Sequence, residues 1–287
     1  MRGALKTDLY QIWIEMIEIL LPVYNGEKYL AEQIESILAQ TYNEWILKIR
    51  NDGSKDGSQA IIDRYCNTYP DKIVMIDSPK ENVGLVQSIN YLQAAEPHGD
   101  YIMFADQDDV WLQDKIETSL NEIQSLEADA PGKPIMVCTD AACVDASLNV
   151  INDSFFESQR FPLDTFDDVN KMIALNVIQG CTIAINKAAV KHIFPMPLIM
   201  SIHDMWIGVN CAYFGKVKYI HRPTMLYRQH SSNVVGSVDV NRMYYFRRLG
   251  KIADTIGFIL RIKRHLSFKV RIDKILYYKV KYMFSKI

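Results

Sequence analysis

YIMFADQDDVW, residues 101–111, decides the fold. An apolar run, YIMFA, stops abruptly at three carboxylates, Asp106, Asp108 and Asp109. Neighbouring like charges repel and strands disfavour Asp, so the run reads as a buried strand and the cluster as a loop with work to do. Before it, MIEILLPVY (16–24) reads as a strand ended by Pro22, and residues 27–40 place Leu30, Ile34, Ile37 and Leu38 at helical spacing. WILKIR (45–50) is a second strand, NDGSKDGS (51–58) a turn-rich loop, and 58–69 a helix. IVMID (73–77), the loop ENVG (81–84) and the helix 85–95 repeat the pattern.

Beyond the carboxylates, 112–127 reads as a helix and 135–145 as a strand. This rhythm implies βαβ units and a Rossmann-like, mostly parallel α/β sheet flanked by helices. In such sheets ligands bind beyond the carboxyl ends of the strands, so NDGS and DQDD should share one edge. The second half is less regular. Residues 176–186 read as a strand, 187–194 and 201–215 as helices, and 216–230 as a strand pair broken at Pro223.

The chain has 287 residues, 49% of them hydrophobic, enough for one sizeable core. Its five cysteines form no CxxC pair, which argues for buried thiols in a reducing compartment rather than disulfides or zinc. No secretory signal and no run of ~18 apolar residues is evident. The net charge of −2 hides an asymmetry: residues 242–287 hold 13 Lys or Arg against only Asp254 and Asp273. That pattern suggests an acidic body and a basic, aromatic-rich helical tail with its own partner.

Closely spaced Asp oxygens suit Mg²⁺ or Mn²⁺, and such an ion commonly bridges to a phosphate. Neither a GxxxxGK[ST] loop nor a GxGxxG follows the first strand, which weakens ATPase and dinucleotide dehydrogenase readings.

LLPVYNGEKYLAEQIESILAQTY, IRNDGSKDGS, ENVG and FADQDDVW, in that order, resemble a family 2 glycosyltransferase of GT-A fold over about residues 17–235. DQDDVW, HDMW and YRQHSSNVVGS resemble most the bacterial rhamnosyltransferase-type branch of O-antigen and capsule synthesis. The resemblance implies a GT-A domain over 15–240, with a nucleotide-binding half (15–130) and an acceptor and catalytic half (131–240). Residues 1–14 would be an extension and 241–287 the basic amphipathic tail.

It further implies nucleotide contacts from Pro22, Tyr24, Asn25, Asp52, Asn82 and Asp106, with Asp52 accepting from the base and Asp106 facing the ribose. Asp108, with His230, would hold Mn²⁺ or Mg²⁺ against the diphosphate. Asp109, Trp111, Gly180, His203 and Arg228 would contact donor or acceptor. Asp204 of HDMW would be the general base, kept ionised by a low pKa. His203 stands where relatives carry an acid, and Asn51 where many carry Asp.

The implied reaction is a single inverting displacement from a UDP-hexose or dTDP-rhamnose onto a polyprenyl-diphosphate-linked saccharide. It would run in the cytoplasm at the inner membrane face, with the basic tail on anionic lipid. The acidic body argues against nucleic acid as a partner. Two rivals are a nucleotidyltransferase, which would need a Gly-rich basic loop after the first strand, and a non-catalytic relative, expected to lack Asp108 or Asp204.

Overall fold

The computed structural model describes residues 15–200, 203–230 and 252–285. Its strands are β1 (Ile17–Val23), β2 (Trp45–Asn51), β3 (Ile73–Met75), β4 (Tyr101–Phe104), β5 (Val110–Trp111), β6 (Ile135–Val144), β7 (Val150–Asn152), β8 (Ile183–Asn186) and β9 (Lys216–Arg228). Its helices are α1 (Leu30–Leu38), α2 (Ser58–Thr68), α3 (Leu85–Ala94), α4 (Lys115–Asp129), α5 (Phe155–Ser158), α6 (Val169–Leu175), α7 (Lys187–Ile193), α8 (Asp204–Phe214), α9 (Ile252–Lys263) and α10 (Ile272–Ser285).

One sheet runs β3-β2-β1-β4-β8-β6-β9-β5, with β7 paired to β6. β1 to β4 pair in parallel, as the repeating βα units require. The second half is mixed: β8 runs antiparallel to β4 and β6, β6 and β9 are parallel, and β5 folds back onto β9.

Alternation along β1 builds the two core layers. Leu20 joins Phe104, Ile89, Ile185 and Trp206 on one face, while Ile19 and Leu21 join Ile34, Ile49, Met103 and Ile116 on the other. Glu18 and Lys48 are also buried, and pair at 2.7 Å.

Several sequence expectations need correction. β1 continues through Pro22, because its ladder with β4 ends at Leu20↔Phe104 and the missing N–H falls beyond it. β9 is one strand rather than two: a register shift between Thr139 and Asp140 of β6 takes up His221 and Arg222, so Pro223 sits at a bulge. Only 183–186 of the stretch 176–186 is a strand, because Asn176 turns left-handed (φ 47°) and Gly180–Thr182 form a 3₁₀ turn. All five cysteines are free thiols.

The described part of the basic tail packs onto the body. Ile259, Ile262, Leu266, Phe268, Val270 and Ile275 are buried in the first core layer. Tyr278 donates to Asp168 Oδ2 at the start of α6 (3.0 Å), and Tyr282 donates to the Gln159 carbonyl. Arg261, Lys263, Arg264, Lys269, Arg271 and Lys281 stay exposed. Residues 1–14 and 242–251 lie outside the described residues.

Candidate active site

The carboxyl ends of β1, β2 and β4 open onto a cavity of about 390 Å³. Pro22, Tyr24, Asp52, Asn82 and Leu85 are among the residues that line it. Two loops are knitted together here. Asn25 N–H donates to Ser54 Oγ (2.9 Å), Gly26 N–H to Ser58 Oγ (2.8 Å), and Lys55 N–H to Asn25 Oδ1 (2.8 Å). Asp52 is buried and accepts from Val83 N–H (2.8 Å), Gly84 N–H (2.9 Å) and Arg50 Nη1. It thus fastens the ENVG loop to the end of β2. Gly53 has φ 78°, and a Cβ there would fall 2.9 Å from the Asn82 nitrogen, so the NDG turn requires glycine.

Gln107 exchanges two hydrogen bonds with the Tyr24 backbone, accepting at 2.8 Å and donating at 3.0 Å, and so ties DQDD to the β1 loop. Asp106 and Asp108 face the cavity. Burial, with the Asp108 charge behind it, pushes the Asp106 carboxyl up to about 7. Asp108 Oδ2 lies 2.8 Å from His230 Nε2. Asp109 is fully buried beneath the loop, accepts from Arg228 N–H at 3.0 Å, and has no partner for Oδ2 among the described residues. Burial and its two acidic neighbours drive its carboxyl well above the usual range.

Asn176, Ile178, Gly180, His203 and Asp204 also line the cavity. Asp204 opens α8 and accepts from Met205 N–H at 2.5 Å and from the Asn176 side chain. Burial outweighs both bonds and raises its carboxyl to about 7. The expectation of a low pKa is therefore corrected, since no cationic side chain among the described residues offsets desolvation here. A pKa near neutrality suits a general base. His203 is buried against Phe104, with ring centroids 5.2 Å apart, and burial lowers its pKa to about 4.

The cavity therefore brings together Pro22, Tyr24, Asp52, Asn82, Asp106, Asp108, Gly180, His203 and Asp204. His230 joins them through Asp108. Four expected contacts lie elsewhere. The Asn25 side chain is spent on the loop. Trp111 is buried in the second core layer. Asp109 is buried and does not line the cavity.

Arg228 is 1% exposed, and its guanidinium donates to the Asp108 carbonyl (2.8 Å), the Ala146 carbonyl (2.8 Å) and Glu32 (2.5 Å). Its geometry is that of a brace holding DQDD to the end of β9, in place of the expected donor or acceptor contact. Gln107 and Asn176 were missed by the sequence reading. Gln107 lay in plain view inside DQDD, whereas Asn176 carried no local signal.

Asp106 and Asp108 repel each other at the cavity wall, and a hard divalent cation would relieve that repulsion. With His230 beside Asp108, the donor set fits Mn²⁺ or Mg²⁺. Among the described residues a different set, Asp106, Asp109 and Cys181, also offers ligand atoms within 4.8 Å of one another.

The sheet, with its acidic strand-end loop, has the GT-A architecture of nucleotide-sugar transferases. Staphylococcus aureus TarS (residues 1–349, solved with UDP-GlcNAc) superposes with TM-score 0.59 at 16% identity, covering 93% of this chain and 79% of that one. The mannosyltransferase PcManGT from Pyrobaculum calidifontis, solved with GDP-Man and Mn²⁺, gives 0.57 at 15% identity, covering 93% and 69%.

The chain belongs to glycosyl transferase family 2, whose family model matches residues 18–194. It is 31% identical over 207 residues to an uncharacterized glycosyltransferase of Rickettsia typhi, covering 69% of this chain and 61% of that relative's length. It is 28% identical over 248 residues to the dTDP-rhamnosyl transferase RfbG of Shigella flexneri, covering 81% and 78%.

Proposed function

We propose that this enzyme inverts the anomeric centre of a nucleoside diphosphate hexose, dTDP-rhamnose or a UDP-hexose such as UDP-Gal or UDP-Glc. The acceptor is a polyprenyl-diphosphate-linked saccharide of O-antigen or capsule synthesis. The observation that carries the reading is that one cavity at the carboxyl ends of the strands gathers Tyr24 and Asp52, Asp106 and Asp108, and His203 and Asp204. We assign these pairs to nucleoside, diphosphate and sugar in turn. The likeness to a rhamnosyl transferase supports the deoxyhexose donor. The complexes of TarS with UDP-GlcNAc and of PcManGT with GDP-Man support a nucleoside diphosphate sugar as the donor class.

Asp204 takes the proton of an acceptor hydroxyl. The oxygen bonds to the anomeric carbon as that carbon's bond to the diphosphate oxygen breaks. One displacement inverts the centre, and the nucleoside diphosphate leaves. Asn176 holds the Asp204 carboxylate in place. Asp108 and His230, with Asp106, would hold Mn²⁺ or Mg²⁺. When bound, that ion offsets charge developing on the diphosphate. Gln107, Asp109 and Arg228 keep the carboxylate loop in register.

No helix among the described residues is long and apolar enough to cross a membrane. The exposed basic residues of α9, α10 and their connection, beside exposed Leu260 and Tyr277, support docking on the anionic cytoplasmic face of the inner membrane.

The test is turnover of UDP-Glc, UDP-Gal, UDP-GlcNAc and dTDP-rhamnose by purified protein with Mn²⁺, a GlcNAc-diphosphate-lipid acceptor and a chelator control. Chelator-sensitive transfer, lost in Asp108→Ala and Asp204→Asn, is the expected result. Absence of donor binding with metal present refutes the reading.

A further inference from the structure

His203 presents both ring nitrogens without a partner among the described residues, although it is only 4% exposed. It lines the same cavity as Asp204, its neighbour in sequence. A buried polar group without a partner is costly, and native proteins seldom tolerate it unless water or a ligand completes it. The imidazole is held in place rather than loose. It packs on the Phe104 ring, and Gly180 gives it room: a Cβ at Gly180 would lie 2.3 Å from His203 Cε1 and Nε2. Asn176 Oδ1, whose side chain also bonds Asp204, is likewise buried without a partner among the described residues.

Resting on the glycosyltransferase reading, we infer that His203 reads the transferred sugar of the donor through its hydroxyls, with Asn176 Oδ1 as a second contact. Asp204, the base that would meet the acceptor hydroxyl at the anomeric carbon, puts the transferred sugar beside it and beside its neighbour His203 in the shared cavity. Burial keeps the ring neutral through the physiological range. A neutral imidazole carries one N–H donor and one acceptor lone pair, which complements two adjacent hydroxyls, each able to donate or accept. Ile178 and Val177 line the same cavity, so its polar contacts come from few groups and each should discriminate strongly. An acid at position 203 would add a negative charge beside Asp204. The neutral ring leaves a site read by direction of hydrogen bonding alone.

The experiment is calorimetric titration of the full chain in Mn²⁺ with dTDP and dTDP-rhamnose, and with UDP and UDP-glucose, for the native protein, H203F and H203N. Phe keeps the packing on Phe104 and removes both polar atoms. The expected result is that H203F binds the bare diphosphate within about 2-fold of native but loses about 10-fold or more in affinity for the intact nucleotide-sugar, with H203N recovering part of it. G180A, which leaves the imidazole but displaces it, should show the same selective loss if H203F fails to fold. Parallel weakening of diphosphate and nucleotide-sugar, or no change in either, would overturn the assignment. Should the native chain bind neither diphosphate nor nucleotide-sugar, the glycosyltransferase reading fails, and this assignment falls with it. Diphosphate binding that is intact in both native and variant proteins, with no sugar-dependent difference, defeats this assignment alone.

Discussion

His230 Nε2 lies 2.8 Å from Asp108 Oδ2, which joins the end of β9 to the loop after β4. Neither residue is near the other in sequence, and both stand where a hard divalent ion would be met. Asp108→Ala should abolish metal-dependent transfer. His230→Ala should raise the Mn²⁺ concentration for half-maximal activity about 10- to 100-fold while keeping the maximal rate within reach at high metal. A Mn²⁺ titration of turnover checks both. If Cys181→Ser shifts the Mn²⁺ requirement and His230→Ala does not, the ion sits on the Asp106, Asp109 and Cys181 cluster instead.

Asp204 must be deprotonated to act, and burial places its carboxyl at about 7. Activity should therefore rise with pH through that region, and Asp204→Asn should lower kcat about 10²- to 10⁴-fold and remove the limb. The same shift carries a stability consequence of opposite sense. The folded-state pKa lies above the ordinary 3.8, so the folded form binds protons more tightly than the unfolded chain. That contribution is complete below the unfolded value and is lost as pH rises through about 7. The Tm of metal-free protein should fall between pH 5 and pH 8, and fall less in Asp204→Asn.

Arg228 is spent on Asp108, Ala146 and Glu32, with Tyr29 stacked 4.4 Å from its guanidinium carbon. Removing it leaves two carbonyls and the Tyr29 face without their partner. Arg228→Ala should cost about 3 kcal/mol of stability, by urea denaturation, and Arg228→Lys part of that, since an ammonium cannot reproduce the fork. A loss of donor affinity in Arg228→Lys with stability unchanged would restore direct donor contact.

The parallel half of the sheet was legible because each strand is a short apolar run closed by turn residues, and its four loops carry the family's motifs. The second half was harder to read for a physical reason. Its strands run in both directions, and their ends are set by pairing rather than composition. Pro223 reads as a break yet sits in a bulge that only the register with β6 reveals. Asn176 reads as the start of a strand yet is a left-handed helix cap. Site residues legible by motif were those with backbone neighbours of the same kind. Arg228, Trp111 and Asp109 share that company, but their side chains point into the fold, and no local pattern distinguishes a brace from a ligand contact.

The basic helices offer a prediction in two parts, because they combine a buried face with a charged one. Ile259, Ile262 and Ile275 are 0–2% exposed, so truncation after residue 251 would strip apolar cover from the first core layer. That truncation should yield insoluble or destabilised protein rather than a soluble enzyme lacking only a tail. Charge reversal on the exposed face should behave differently. Arg261→Glu, Lys263→Glu and Arg264→Glu together leave the buried face intact, so the Tm should hold within a few degrees. If the face docks on anionic lipid, each basic residue near the surface contributes roughly 1 kcal/mol, and the triple variant should lose most co-sedimentation with phosphatidylglycerol vesicles. Native binding should also weaken as salt rises from 0.05 to 0.5 M, because the Debye length shrinks from roughly 14 to 4 Å. Equal binding to neutral phosphatidylcholine vesicles, or triple-variant binding equal to native, would show that these cations serve solubility and not a membrane.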